Sequence, residues 1–237
     1  FLVADMMKRY KSAREKKENI AVIVEGTKSV PGEPNFTDLG NAERFVATFG
    51  SNLRFCYAWK KWIVWDQTCW IVGAEGEVLR AAETIPKELR DKSLEMSETA
   101  RKLAADGNAE QAEKTKARSL AMTAWAHKSE SGARIAAIVT LAAPLLEVKP
   151  DVFDRDLFAL NCANGTVDLK TGTLRPHNRT DFITKKIATV YNPYALAPFF
   201  KEFLSKVMGQ RSDLAAFLLR ALGYAITGSV KEQVMFF

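Results

Sequence analysis

Three carboxylates, Asp151, Asp154 and Asp156, are spaced closely enough to suggest a divalent-cation loop. The surrounding residues lack the central glycine and the distal glutamate that a calcium loop uses. A turn or a helix start accounts for the same spacing. The thiols Cys56, Cys69 and Cys162 and the imidazoles His127 and His177 are scattered. No two of them stand at zinc-ligand spacing, so the sequence indicates no metal site. An odd, sparse set of cysteines also argues against a disulfide framework and for a reducing compartment. Cys162 and His177 could act as nucleophile and base only if the fold happened to join them. The glycine-rich phosphate loop, the dinucleotide fingerprint, the nucleophile elbow and the paired-histidine zinc motif are all absent from the sequence. The reading is of a chain with no catalytic residues and no cofactor of its own.

Cations and aromatics carry the stronger signal. Arg175, His177, Arg179, Lys185 and Lys186 fall close together, interrupted only by Asp181. Such a run could hold phosphates without reading bases. Lys60 and Lys61 lie beside Trp59 and Trp62, a combination suited to single strands, whose bases stack on aromatic rings. Both features have a plainer explanation, a solvated basic face in one case and a small packed aromatic core in the other.

The elements that would position these groups follow from the pattern. The chain has 237 residues, 47% of them hydrophobic, enough for one large domain or two small ones with a real core. Its net charge of +6 favours an anionic partner. No apolar run is long enough for a membrane span, and no signal peptide leads the chain. The absence of an initiator Met reads as a piece of something longer.

Residues 1–36 read as a linker or the tail of an upstream domain, with Gly, Pro and Ser at 26–34. A short helix is expected over 41–49. The alternation of Leu53, Phe55, Tyr57 and Trp59 predicts a half-buried strand, with a turn at Lys60–Lys61. Strands over 62–65 and 70–72, separated by a turn at Asp66–Gln67, complete a meander. Helices are expected over 86–105, over 108–128 with Asn108 and Gln111 as a capping box, and over 133–142. Asn164–Gly165 and Thr171–Gly172 bracket a β-hairpin. Helices over 197–208 and 212–226 follow, the second capped by Ser212, and their Phe199, Phe200, Phe203, Leu214, Phe217 and Leu218 are expected mainly in the domain core. An apolar strand begins at Val234. The fold class is therefore α+β, a small antiparallel meander and a β-hairpin combined with a helical bundle.

These residues resemble a known family. The match opens at Thr37–Phe45 and runs through Trp62, Trp65, Asp66 and Trp70 of the meander. It continues at Leu160–Asn161 and is densest from Asn164 and Gly165, through Asp168, Leu169, Thr171 and Gly172, to Pro176. Phe182–Lys185, Tyr191–Pro193, Leu222–Gly228 (with Gly223 and Gly228) and Glu232–Gln233 complete it. The set resembles the domain before the motor in phage and plasmid primase–helicases of the bacteriophage P-four and poxvirus type. Gln67 departs from it, since that turn usually holds glycine.

The resemblance implies that residues 37–237 form an N-terminal accessory or collar domain, ending just before a superfamily-three, AAA+-type motor. The parent would be an ATP-dependent, hexameric replicative DNA helicase working in the bacterial cytoplasm, and its ATP and Mg²⁺ would belong to the motor. This chain would be non-catalytic, binding single-stranded or forked DNA and self-associating. A purely structural ring-assembly domain without DNA contact is the alternative, and a standalone enzyme with a dispersed site is the third possibility.

Overall fold

Local chemistry sets the first element. Thr37 is extended at φ −138°, and its side chain accepts a hydrogen bond from the Gly40 N–H. This cap starts α1 (Asp38–Phe49) three residues before the expected position. The computed structural model describes residues 34–232. Most of the expected linker and all of the expected strand at Val234–Phe237 lie outside these residues.

The described chain forms two compact units. The first comprises residues up to 64 together with 71–150. After α1 come β1 (Leu53–Cys56), β2 (Lys61–Trp65) and β3 (Trp70–Val72), an antiparallel meander in the order β1-β2-β3. Strand β1 is shorter than the alternation predicted. Cys56 pairs with Lys61, and the Lys60 N–H bonds back to the Tyr57 carbonyl, so residues 57–60 form the hairpin loop. Tyr57 and Trp59 are consequently exposed, and Lys61 is in a strand rather than a turn.

Helix α2 (Glu75–Ala82), which the periodicity did not suggest, precedes α3 (Thr84–Ala105), α4 (Ala109–Ser129) and α5 (Gly132–Ala142). Helices α3 and α4 pack as a hairpin, while α1 and α2 both pack on α5. The hairpin seam is partly polar: Ser119 donates to the Ser93 carbonyl at 2.7 Å, and Thr123 donates to the Ser93 hydroxyl at 3.0 Å. Asn108 precedes α4 but makes no side-chain cap. Its ψ of 58° is not the extended geometry that aims a cap at the next N–H groups. The core joins Phe45 and Phe49 of α1 to Trp62, Val78, Ile85, Met122 and Ile138. Each such side chain contributes about 1.5–3 kcal/mol when fully buried. Asn41, fully buried, ties α1 to α4 by donating to Ser129 and accepting from the Trp125 indole.

The second unit comprises 65–70 and residues from 151 onward. The expected hairpin is a second three-stranded antiparallel meander, β4 (Ala159–Cys162), β5 (Gly165–Asp168) and β6 (Thr173–Arg175). The additional strand, β4, pairs Ala159 with Asp168 and Cys162 with Gly165. Helices α6 (Pro198–Val207) and α7 (Ser212–Ala225) follow. Arg211 occupies the N-cap position of α7 without a side-chain cap, and Ser212 is the first helical residue. The expected apolar core of these helices is not found. Leu204 is buried, but Phe199 is 85% exposed, Phe203 58% and Phe217 52%, and α7 has no buried residue. The architecture is α+β, as the sequence predicts.

Candidate nucleic-acid interface

The basic run at 175–186 lies in the second unit, on a strap pinned by two polar residues and a tryptophan. Asp66 builds the first anchor. Its Oδ1 accepts from the Thr68 N–H at 2.8 Å, the Thr68 hydroxyl at 2.7 Å and the Cys69 N–H at 2.7 Å. This loop places Gln67 at φ 77°, the left-handed region that glycine occupies without strain. Burial and the nearby Asp66 carboxylate raise the Cys69 thiol above its ordinary value, so it stays protonated. All three cysteines are buried and free.

Asn161 is the second anchor. It is 3% exposed on β4, and its amide donates to the Thr68 carbonyl at 2.9 Å. That bond orients the amide, so Oδ1 faces Thr166 Oγ1 at 3.3 Å and His177 Nδ1 at 2.8 Å. A carboxamide oxygen only accepts, so Nδ1 of His177 carries the proton. His177 Nε2 is buried and has no hydrogen-bond partner among the described residues.

Trp70 holds the middle of the strap. Its indole donates to the Arg179 carbonyl at 2.8 Å, and its N–H bonds to the Ile183 carbonyl at 2.8 Å. Its ring stacks on Phe182, 5.6 Å between centroids and 7° from parallel, tilts against Trp65 and meets Phe153 edge-on. Trp70 is buried by these contacts.

The cations divide by partner. Arg175 bonds Asp181 at 2.5 Å, and that hydrogen bond raises the guanidinium's pKa further. Lys186 donates to the Thr68 hydroxyl at 2.7 Å and lies 3.9 Å from Asp66. Arg179 is exposed, and Lys185 is exposed with no ion pair among the described residues. Lys170, which the sequence analysis did not single out, lies 4.6 Å over the Phe158 ring. In the other unit, Lys61 pairs with Glu75 at 3.5 Å, and Lys60 is exposed in the left-handed loop position at φ 53°. Trp62 is 4% exposed and packs on Phe55, so it presents no face for a base to stack on, whereas Trp59 is 38% exposed.

Most of the remaining motif residues make local turn and backbone contacts. Asn164 exchanges two hydrogen bonds with the Tyr191 backbone, and the Tyr191 hydroxyl donates to the Gly172 carbonyl. Asp168 accepts from the Lys170 N–H at 2.8 Å, and its carbonyl accepts from the N–H groups of Thr171 and Gly172, closing the β5–β6 turn. The Leu169 N–H bonds to the Phe158 carbonyl. Gly165, at φ 149°, lies where a Cβ would stand 2.5 Å from the Arg175 carbonyl. The Gly228 N–H bonds to the Leu157 carbonyl. Pro176 is exposed, and nothing in the structure explains a requirement for glycine at 223.

The acidic trio is likewise absorbed. Both Asp154 oxygens accept from Thr184, Asp156 accepts from the Phe158 N–H, and Asp151 pairs with Arg155. Sequence reasoning missed Asn161 as the hub because its partners Thr68 and His177 are distant in the chain.

A family model described as "D5 N terminal like" matches residues 42–209. No curated protein matches the chain. No helix among the described residues is long and apolar enough to cross a membrane.

Proposed function

The chain belongs to the D5 N terminal-like family, a domain found at the N-terminus of primase–helicase proteins, and from that premise we propose that it is a non-catalytic DNA-binding and oligomerising domain. Its parent would be an ATP-dependent replicative helicase with a superfamily-three motor, from a phage, plasmid or related mobile element, acting in the bacterial cytoplasm. ATP and Mg²⁺ would be held by that motor, and the parent would assemble as a hexamer on single-stranded or forked DNA.

The observation that carries the DNA reading is the pinned basic strap. Trp70 fixes the backbone at Arg179 and Ile183, Asn161 holds the His177 ring, and Lys185 is exposed on the strap with no ion pair among the described residues. Cations on a fixed backbone can grip phosphates with little ordering cost and carry no base preference. Arg175 and Lys186, each facing a carboxylate, shape the strap and contribute less net charge to a phosphate. A second reading, assembly without DNA contact, is supported by the exposed apolar residues of α6 and α7.

Fluorescence anisotropy with single-stranded, duplex and forked DNA at several salt concentrations tests the reading. Affinity should fall steeply as salt rises. Lys185→Glu should weaken binding several-fold and lower the salt slope by about 1 or more. Equal affinity in wild type and Lys185→Glu, or no binding at low salt, would favour the assembly reading.

A further inference from the structure

We propose that the β1–β2 loop, residues 57–60 of the first unit, is a stacking site for the unpaired bases of single-stranded DNA. The loop is tied at both ends. Cys56 pairs with Lys61, and the Lys60 N–H closes onto the Tyr57 carbonyl at 3.2 Å. The Tyr57 ring meets Phe55 edge-on, 4.7 Å between centroids, and Phe55 packs on the buried Trp62 at 5.1 Å. Two rings therefore stand in solvent on an ordered backbone, Tyr57 at 47% exposure and Trp59 at 38%. Of the five tryptophans, Trp62 and Trp70 are buried and Trp65 and Trp125 half-buried, which leaves Trp59 as the exposed one. A single exposed apolar residue is ordinary and needs no ligand. Two aromatic rings beside open cations are the arrangement on which bases stack.

The charge around the loop selects the partner. Residues 50–65 contain Arg54, Lys60 and Lys61 and no carboxylate. Lys60 is exposed and has no ion pair among the described residues, whereas Lys61 is engaged by Glu75 at 3.5 Å. Lys149 supplies a second open cation. Phe55 and Glu147 form a parallel bridge, and the Val148 N–H bonds to the Phe55 carbonyl at 2.9 Å. Both segments run the same way from that bridge, so Lys149 follows it as Tyr57 does. Lys149 is exposed and likewise has no ion pair among the described residues. A strand laid on the loop sets its bases on the rings and its phosphates against Lys60 and Lys149. A duplex keeps its base faces inside its own stack, so the rings select unpaired bases. The inference rests on the DNA-binding half of the proposed function. Phosphate grip by the strap and stacking by this loop can fail separately, because an abasic strand keeps the phosphates and lacks the bases.

Tryptophan emission of the 237-residue chain, titrated with oligo(dT), an abasic strand of equal length and a duplex, is the test. Oligo(dT) should quench the emission and bind at least about fivefold more tightly than the abasic strand. Trp59→Ala should remove most of the quenching and weaken oligo(dT) binding at least about fivefold, with abasic and duplex affinities and the melting temperature unchanged. Trp59→Phe, which keeps a ring, should restore most of the affinity. Lys185→Glu, on the strap, should weaken binding to all three. Unchanged oligo(dT) affinity in Trp59→Ala, or equal weakening on the abasic strand, would overturn the stacking site while a Lys185→Glu effect left the strap standing. No binding to any of the three would overturn both.

Discussion

Replacing Asn161 with alanine should unlock the basic strap. The wild-type amide donates to the Thr68 carbonyl and accepts from Thr166 and His177, and the residue is 3% exposed. Truncation leaves three polar groups without that partner. A buried polar group deprived of its hydrogen bond costs about 1–3 kcal/mol. The Thr166 hydroxyl can rotate, and Thr68 is only half-buried, so part of the loss is recovered. The net cost should be about 3 kcal/mol, or roughly 6–12 °C in melting temperature for a chain of this size. Urea unfolding followed by tryptophan fluorescence reads it, since Trp65 and Trp70 lie in this unit. Asn161→Asp keeps the acceptor but sets a carboxylate against the Thr68 carbonyl, and it should also destabilise. An Asn161→Ala stability within about 1 kcal/mol of wild type would refute the hub assignment, because the three bonds would then be worth no more than one ordinary hydrogen bond.

Two further outcomes follow from the turns. Gln67→Gly should stabilise the protein by about 0.5–1 kcal/mol, since relieving a left-handed backbone gains about 1–2 kcal/mol and glycine's chain entropy returns about 0.5–1. A lower denaturation midpoint for this variant would refute the strain argument. The Asp168 carboxyl is held below the usual range, first by the Lys170 N–H. A depressed folded value gives stability that is present above the ordinary carboxylate pKa of about 4 and lost as pH falls through the lowered value. Asp168→Asn should flatten that acid limb of urea midpoint against pH, and an unchanged limb would exclude this contribution.

Turn and cap signals were legible because they act over a few residues. Gly107 and Gly209, both at positive φ, stand at the expected breaks after α3 and α6, and the Asn164–Gly165 and Thr171–Gly172 turns flank β5. The misreadings were of two kinds. At Tyr57 and Trp59 the alternation continued past the strand, because the Cys56–Lys61 pairing ended the ladder first. At α6 and α7 the apolar pattern was read correctly as helix, but periodicity does not say what covers a helix face.

Sequence alone determined the α+β class, most of the helices, the first meander, the hairpin within the second and the positions of the basic residues. Those properties depend on neighbours within a turn or a strand's length. Only the tertiary structure decided which cations face carboxylates. Lys186 reaches Asp66, Asn161 bridges Thr68 and His177, and Trp70 meets Arg179, all across long stretches of chain. It also decided that Trp62 is core and that Phe199 and Phe203 face solvent. Such pairings and exposures depend on how distant segments close in space, and residue type and spacing do not encode that closure locally.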